Sequence, residues 1–235
     1  MTKTLSIVIP VYNERQTIAE VLKKVREVDI GKLKKEIIIV DDGSTDGSRE
    51  EIVKQKKLDP LTTKVHLSLI NLGKGAAVRI GLKFSTGNYI IIQDADLELD
   101  PAEYKKILKP ILLGKAKVVY GSRFLGNKNK NISLRTRLGN LGLTWLTNIL
   151  YGSNLTDMET AYKAFSRDVI EDIRLRALEF ELEPEITARI LQRGYKIHEV
   201  AVKYQPRSAE EGKKLRITDG LEALYTLLQC KWRKG

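Results

Sequence analysis

The sequence predicts an α/β fold, with a mostly parallel central sheet and helices on both of its faces. Short apolar runs of strand length recur at Leu5–Ile9, Ile37–Val40, Val65–Ile70, Tyr89–Ile92 and Lys117–Tyr120. They do not alternate polar with apolar residues, so each buries both faces, as in a parallel sheet covered by helices. Between them lie segments of helical period, about Arg15–Val28, Ser48–Lys57, Ala76–Phe84 and Pro101–Leu112. Strand–helix–strand repetition of this kind marks a doubly wound sheet.

Element by element, Asp46 and Asp100 stand where N-caps are expected, and Pro101 suits a first helical turn. The second half is less regular. Leu134–Tyr151 reads as an amphipathic helix, Thr160–Phe165 and Lys196–Tyr204 as strands, and Pro184–Gln192 and Thr218–Leu228 as helices. The polar stretches 121–133 and 205–214 are too short for domain linkers and read as mobile loops over a site. With no internal repeat, the 235 residues are expected to form one domain, 1–235.

Composition narrows the class. A hydrophobic content of 42% with 30% charged residues fits a globular enzyme and not a disordered chain. Cys230 is alone, which excludes an internal disulfide and a cysteine zinc site. His66 and His198 are far apart, without ligand spacing, and are expected to be structural. The opening MTKTLSIVIPVYNE breaks at Pro10 and lacks a signal-peptide cleavage site. No run reaches the roughly 18–20 apolar residues of a membrane span. The chain is therefore expected to be soluble or peripheral, in a reducing compartment. The net charge of +11 calls for an anionic partner.

The predicted strands end in unusual polar sequences: PVYNE, DDGSTDGS, NLGKG, QDADLELD and GSRF. Ligands of open α/β sheets bind outside the carboxyl ends of the strands, so these five segments should meet in one crevice. Continued as a strand, the DAD segment would point Asp94 and Asp96 the same way, with Glu98 within reach. Paired carboxylates suit Mg²⁺ or Mn²⁺, which bind through one or two carboxylates and substrate phosphates. Asp100 reads as the helix cap alone. Asp41 and Asp42 serve a turn or a nucleobase N–H equally well. Lys74 and Arg79 are candidates for a diphosphate or for packing. NLGKGAAVRIG is not a Walker loop, and Val78 stands where a dinucleotide fingerprint needs its third glycine. Arg123 follows a strand end, where a forked guanidinium suits a phosphate.

In this order the segments VIPVYNE, VDDGSTDGS, NLGKGAAVRIG, QDADLELDP, VYGSRF, TDMETAYKAF, FELEPEITARI, GYKIHEV and RSAEEGKK resemble family 2 glycosyltransferases. They are most similar to the branch of dolichol-phosphate mannose synthases and polyprenyl-phosphate glycosyltransferases. The resemblance implies a GT-A fold, with a nucleotide-sugar half over about 1–120 and an acceptor half over about 121–235. It implies a nucleotide-sugar site at Pro10, Val11, Tyr12, Asn13, Glu14, Asp41, Asp42, Lys74, Asp94 and Ala95. Asp94, Asp96 and Glu98 would be the metal set, for Mg²⁺ or Mn²⁺, and Asp96 and Arg123 the catalytic pair. Arg123, Arg135, Arg137, Arg207 and Lys214 would bind an acceptor phosphate.

The implied reaction moves a hexose from GDP-mannose, UDP-glucose or a UDP-N-acetylhexosamine to a polyprenyl or dolichyl monophosphate, with inversion. A phosphate acceptor is already anionic and needs no general base, in keeping with a chain that shows no catalytic histidine. The expected location is the cytoplasmic face of a membrane, reached peripherally or through a membrane-protein partner. Leu138, Leu141, Trp145, Ile149 and Leu150 could form an interfacial helix face or simply pack on the core. A transferase acting on a sugar hydroxyl is the rival and would draw its base from Glu179, Glu181, Glu183 or Glu185. Charge alone suggests a nucleic-acid module, but no nucleic-acid motif is present and none is expected to bind.

Overall fold

The computed structural model of the chain describes residues 2–127, 129, 132–207 and 217–233. Among these residues seven strands form one sheet in the order β3-β2-β1-β4-β6-β5-β7. The first four are β1 (Thr4–Val11), β2 (Lys34–Asp41), β3 (Thr63–Leu67) and β4 (Tyr89–Ile92), all parallel. β5 (Val118–Ser122) and β7 (Ile197–Ala201) run the same way as β4, whereas β6 (Lys163–Ser166) lies antiparallel between β4 and β5.

Successive strand residues enter opposite layers. Leu5, Ile7, Ile9, Ile37 and Ile39 pack beneath α1 (Ile18–Glu27) and α4 (Tyr104–Leu112). Val8, Ile38, Val40, Ile90 and Ile92 pack beneath α3 (Lys74–Phe84) and α7 (Leu182–Gln192). This is why the strands read as unbroken apolar runs. The remaining helices are α2 (Ser48–Leu58), α5 (Leu134–Tyr151), α6 (Arg167–Asp172) and α8 (Ile217–Trp232).

Several predicted boundaries move. β3 stops at Leu67, leaving Leu69 and Ile70 exposed beyond the sheet. The strand expected from Thr160 starts at Lys163, because Thr160 Oγ1 bonds Gly121 O and turns the chain into β6. Asp46 is not the α2 cap: left-handed Gly47 takes that position, and Asp46 instead accepts from Ser48 N and Arg15 N. Asp100 does cap, accepting from Ala102 N at 2.9 Å at the start of a short 3-10 turn.

α5 turns a mixed face inward, with Leu143, Leu146 and Tyr151 packed against a small apolar cluster beside buried polar residues. Its buried residues are Asn140, Thr144 and Thr147, while Leu138, Leu141, Trp145 and Ile149 are exposed. Leu150, expected on the same face as these, instead turns inward against a cluster containing Met158 and Leu227. No described helix is long and apolar enough to cross a membrane.

Candidate active site

The parallel strands β1–β5 end on one edge of the sheet, and antiparallel β6 begins there. The first two strand ends are stitched together. Asn13, at φ 54°, accepts from Thr45 N through Oδ1, and its own N donates to Ser44 Oγ. Glu14 N donates to Ser48 Oγ. Pro10 pairs with Val40 and Val11 with Asp41 across the β1–β2 ladder, and Tyr12 follows directly.

Asp41 and Asp42 are both buried but do different work. Asp41 Oδ2 receives Nε and Nη2 of Arg49, each at 3.0 Å, and so braces α2 against the sheet. Asp42 accepts from Leu72 N at 3.0 Å and Gly73 N at 2.7 Å. Burial raises the Asp42 carboxyl above its ordinary value, and these two N–H groups offset part of the rise. Gly73 must be glycine: at φ +99° a Cβ would lie 2.4 Å from Leu178 O.

The acidic turn differs from an extended strand. β4 ends at Ile92, buried Ala95 turns inward, and Leu97 takes φ 64°. The i, i+2 alternation therefore does not govern Asp94 and Asp96. Asp94 Oδ2 meets Lys74 Nζ at 3.0 Å, while Asp96 Oδ1 accepts from Glu98 N at 3.1 Å and its Oδ2 lies 3.7 Å from Arg207. Glu98 is engaged elsewhere, accepting from Tyr204 Oη and Arg207 N, each at 2.9 Å. Arg207 also donates to Glu14 Oε2 at 2.8 Å, which ties the first strand end to the acidic turn.

Among the described residues no three acidic, histidine or cysteine side chains are grouped to hold a metal ion. Asp94 Oδ1 and Asp96 Oδ2 are nevertheless hard oxygens that accept no hydrogen bond among the described residues, beside Lys74 and Arg207. That donor set fits a divalent ion that takes its other ligands from a diphosphate.

Beneath Lys74 runs a buried line of charge. Lys74 Nζ lies 3.3 Å from Glu183 Oε1, and Glu183 Oε2 bonds Lys163 Nζ. Lys163 also donates to the carbonyls of Met158 and Thr160. Burial alone would raise Glu183, but the two lysines hold its carboxyl below the ordinary range.

At the end of β5, Arg123 gives Nε, Nη2 and its backbone N to the fully buried Asp157, each at 2.8 Å. Glu199 fixes that loop by accepting from Thr156 N and Asp157 N. The guanidinium lies 5.4 Å from the Tyr204 ring and 5.6 Å from Phe124. Arg135 and Arg137 lie exposed on the first turn of α5, with no ion pair to the cluster among the described residues. Lys214 lies outside the described residues. Arg79, weighed for a diphosphate, donates instead to the carbonyls of Arg176 and Ala177.

The TDMET segment was legible only as a family match, yet it supplies Asp157 to Arg123 and places Glu159 near Arg123 and Lys163. Its signal was a polar run opening a strand on the edge where others end. Among the described residues, buried Glu159 Oε1 has no hydrogen-bond partner. Burial, with Glu183 and Asp157 against Lys163 and Arg123, pushes its carboxyl up to about 7. The native state thus binds a proton more tightly than the unfolded chain between about pH 4.5 and 7, so this group's contribution to stability falls as pH rises through that window. Glu159→Gln is expected to stabilise the fold at pH 8 by about 1–3 kcal/mol and to give no gain at pH 4.5. Urea denaturation of both proteins at the two pH values measures this.

A model of the family described as glycosyl transferase family 2 matches residues 6–174. The chain belongs to the family 2 glycosyltransferases. This glycosyltransferase is 31% identical to the UDP-N-acetylglucosamine–dolichyl-phosphate N-acetylglucosaminyltransferase of Methanococcus voltae, over 99% of this chain and 98% of that protein. It is 30% identical to an uncharacterized protein of Methanocaldococcus jannaschii, over 96% of this chain and 91% of that one. Its fold matches glucosyl-3-phosphoglycerate synthase of Mycobacterium tuberculosis in complex with Mn²⁺, UDP and phosphoglyceric acid. That match has a TM-score of 0.74 at 19% identity and covers 99% of this chain and 80% of the synthase. The mostly parallel sheet with helices on both faces is thus the GT-A fold that the resemblance implied. In the glycosyltransferase, the base candidates Glu181 and Glu185 serve backbone N–H groups of residues 176–179, and Glu183 is held by its lysines.

Proposed function

We propose that this glycosyltransferase moves a hexose from a nucleotide sugar to a polyprenyl monophosphate, with inversion, as a single domain at the cytoplasmic face of a membrane. The observation that supports the reading is the linkage of two clusters at one sheet edge: Asp94, Asp96, Lys74 and Arg207, and Arg123 with Asp157, joined by Tyr204, whose Oη donates to Glu98 and whose ring lies 5.4 Å from Arg123. Asp94 Oδ1 and Asp96 Oδ2 would hold Mg²⁺ or Mn²⁺, which when bound neutralises charge on a leaving diphosphate. Lys74 and Arg207 add fixed positive charge beside it. Asp42, with the Tyr12–Glu14 segment, borders the space for the nucleoside. Asp157 occupies Nε and Nη2 of Arg123, fixing the guanidinium so that Nη1 can meet an acceptor phosphate without reorganising. The phosphate oxygen attacks the anomeric carbon as the glycosyl–diphosphate bond breaks.

The Methanococcus voltae relative supports UDP-N-acetylglucosamine as the first donor to try and a dolichyl-type phosphate as acceptor. The test is calorimetry with GDP-mannose, UDP-glucose and UDP-N-acetylglucosamine, each with Mn²⁺ and with EDTA. Metal-dependent binding of one donor is expected, and adding a polyprenyl phosphate should then give a lipid-linked sugar. Donor binding unchanged by EDTA would defeat the metal assignment. Glu159 favours a second reading, transfer to a sugar hydroxyl, because a carboxyl poised near neutrality can serve as a general base. Turnover with sugar acceptors but not with the lipid phosphate, abolished in Glu159→Gln, would select it.

A further inference from the structure

Four contacts hold Arg207 at the acidic turn. Its backbone N donates to Glu98 Oε1 at 2.9 Å and its Nε to Asp96 O at 3.1 Å. Nη2 donates to Glu14 Oε2 at 2.8 Å and lies 3.7 Å from Asp96 Oδ2. The residues before it are tied to the same acid: Gln205 N donates to Glu98 O at 3.0 Å and Tyr204 Oη to Glu98 Oε2 at 2.9 Å. An arginine side chain is long and rich in rotamers, and on a surface it sweeps through solvent. This one is 15% exposed and is fastened at both ends, by its backbone and by its guanidinium.

Its position has a chemical consequence. Asp96 Oδ2 is one of the two oxygens assigned above to a divalent ion, and the Arg207 guanidinium faces it. Lys74 stands differently: it takes Asp94 Oδ2, leaving Oδ1, and Glu183 shares its charge. Four carboxylates, Glu14, Asp94, Asp96 and Glu98, gather around these two cations, a set that would otherwise collect free cations from solution. A divalent ion arriving alone meets a guanidinium at the same oxygen, and like charges a few Å apart repel strongly where water is scarce. An ion arriving on a diphosphate brings negative oxygens with it. Arg207 can then exchange Asp96 for a phosphate oxygen, a partner that its forked donors fit equally well.

We propose that Arg207 guards the metal position, turning away free divalent ions and admitting one only in complex with a nucleoside diphosphate or its sugar ester. This rests on the metal reading of Asp94 and Asp96 and adds an order to it: ion and nucleotide enter together. Glu14 and Glu98 are the moorings of the guard, one on the guanidinium and one on the backbone. Ion and nucleotide each strengthen the binding of the other by the same factor, as linkage requires, and Arg207 sets much of that factor.

The test needs no acceptor and no turnover. Mn²⁺ is titrated into the full chain alone and then with UDP or GDP, and the free ion is read by electron paramagnetic resonance. Wild type is expected to bind Mn²⁺ weakly alone and far more tightly with one of the two nucleotides. Arg207→Ala should bind Mn²⁺ alone about tenfold more tightly, and the gain from nucleotide should shrink by about tenfold or more, the scale of one lost coupling between sites. Arg207→Gln, neutral but longer, should behave as Arg207→Ala, and Arg207→Lys, which keeps a cation, should stay nearer wild type. Adding Asp96→Asn to Arg207→Ala should cancel the gain, which locates it at the acidic turn. Circular dichroism should match wild type, since the backbone N of residue 207 still reaches Glu98. A residue that only bound phosphate would lower nucleotide affinity and leave the binding of Mn²⁺ alone unchanged, and that result would overturn the proposal. So would a wild type that binds Mn²⁺ alone as tightly as Arg207→Ala does. Both of these outcomes leave the metal reading standing. If no protein-bound Mn²⁺ is found in any of the mixtures, the metal reading fails and the guard falls with it.

Discussion

Asp96→Ala is expected to abolish transfer, with a loss of a hundredfold or more in kcat/KM and little change in stability. Among the described residues its Oδ2 accepts no hydrogen bond and lies 3.7 Å from Arg207, so the fold leans on its carboxylate through the bond that Glu98 N donates to Oδ1. A bound divalent ion at a leaving diphosphate is worth several kcal/mol of transition-state stabilisation, and each 1.4 kcal/mol is a factor of about ten. Steady-state kinetics across a Mn²⁺ titration, beside urea denaturation, measures both effects. Glu98→Gln should behave differently. Glu98 ties Tyr204 and Arg207 to the acidic turn, so its loss should loosen that segment more than it shifts the metal requirement. Equal shifts in apparent metal affinity for the two variants would instead make Glu98 the third ligand that the resemblance implied.

Lys163→Met is expected to cost about 3–5 kcal/mol of stability, the largest effect of any single change in the crevice, because it removes one partner of a buried ion pair. Lys163 is fully buried and holds Glu183 and two backbone carbonyls. Without it Glu183 keeps Lys74 alone, and Glu159 loses a cation that lowers its pKa. Two changes should follow together: a lower urea midpoint, and movement of the Glu159 transition further above pH 7, read by carboxyl-labelled NMR. A variant as stable as wild type would mean that Glu183 is neutral and that the line of charge is no ion pair.

The parallel half of the fold was legible because burial on both faces leaves an unmistakable apolar run, as in Ile37–Val40. The gathering of polar segments on one edge was legible from where those runs stop. The acidic turn was not, because β4 ends before Asp94 and Leu97 takes a left-handed backbone, neither of which a DAD triplet announces. Nor was the division of labour between Asp41 and Asp42 visible: adjacent and chemically identical, they are separated by which cation or N–H group the fold brings to them. The partners of Arg123 and Lys74 come from Asp157 and Glu183, tens of residues away, and only tertiary structure pairs them. In α5 the helix itself was read correctly, but which face lies inward is decided by the loop it serves.

The antiparallel strand β6 also sets a timetable. It pairs with β4 through Tyr89–Ser166, Ile90–Phe165 and Ile91–Ala164, so an apolar central strand made early waits for residues made much later. From Ile92 to Ser166 is 74 residues (166 − 92), or about 4–15 s of synthesis at 5–20 residues per second. During that interval β1, β2, β3 and β4 can associate, but the far edge of β4 carries unpaired backbone groups and buried-type side chains facing water. A nascent chain stalled between these points presents an adhesive edge. Completion of β6 closes that edge, and the same event brings Lys163 and the Asp157 loop to the end of the sheet where Glu183, Tyr204 and Arg207, made later still, complete the cluster.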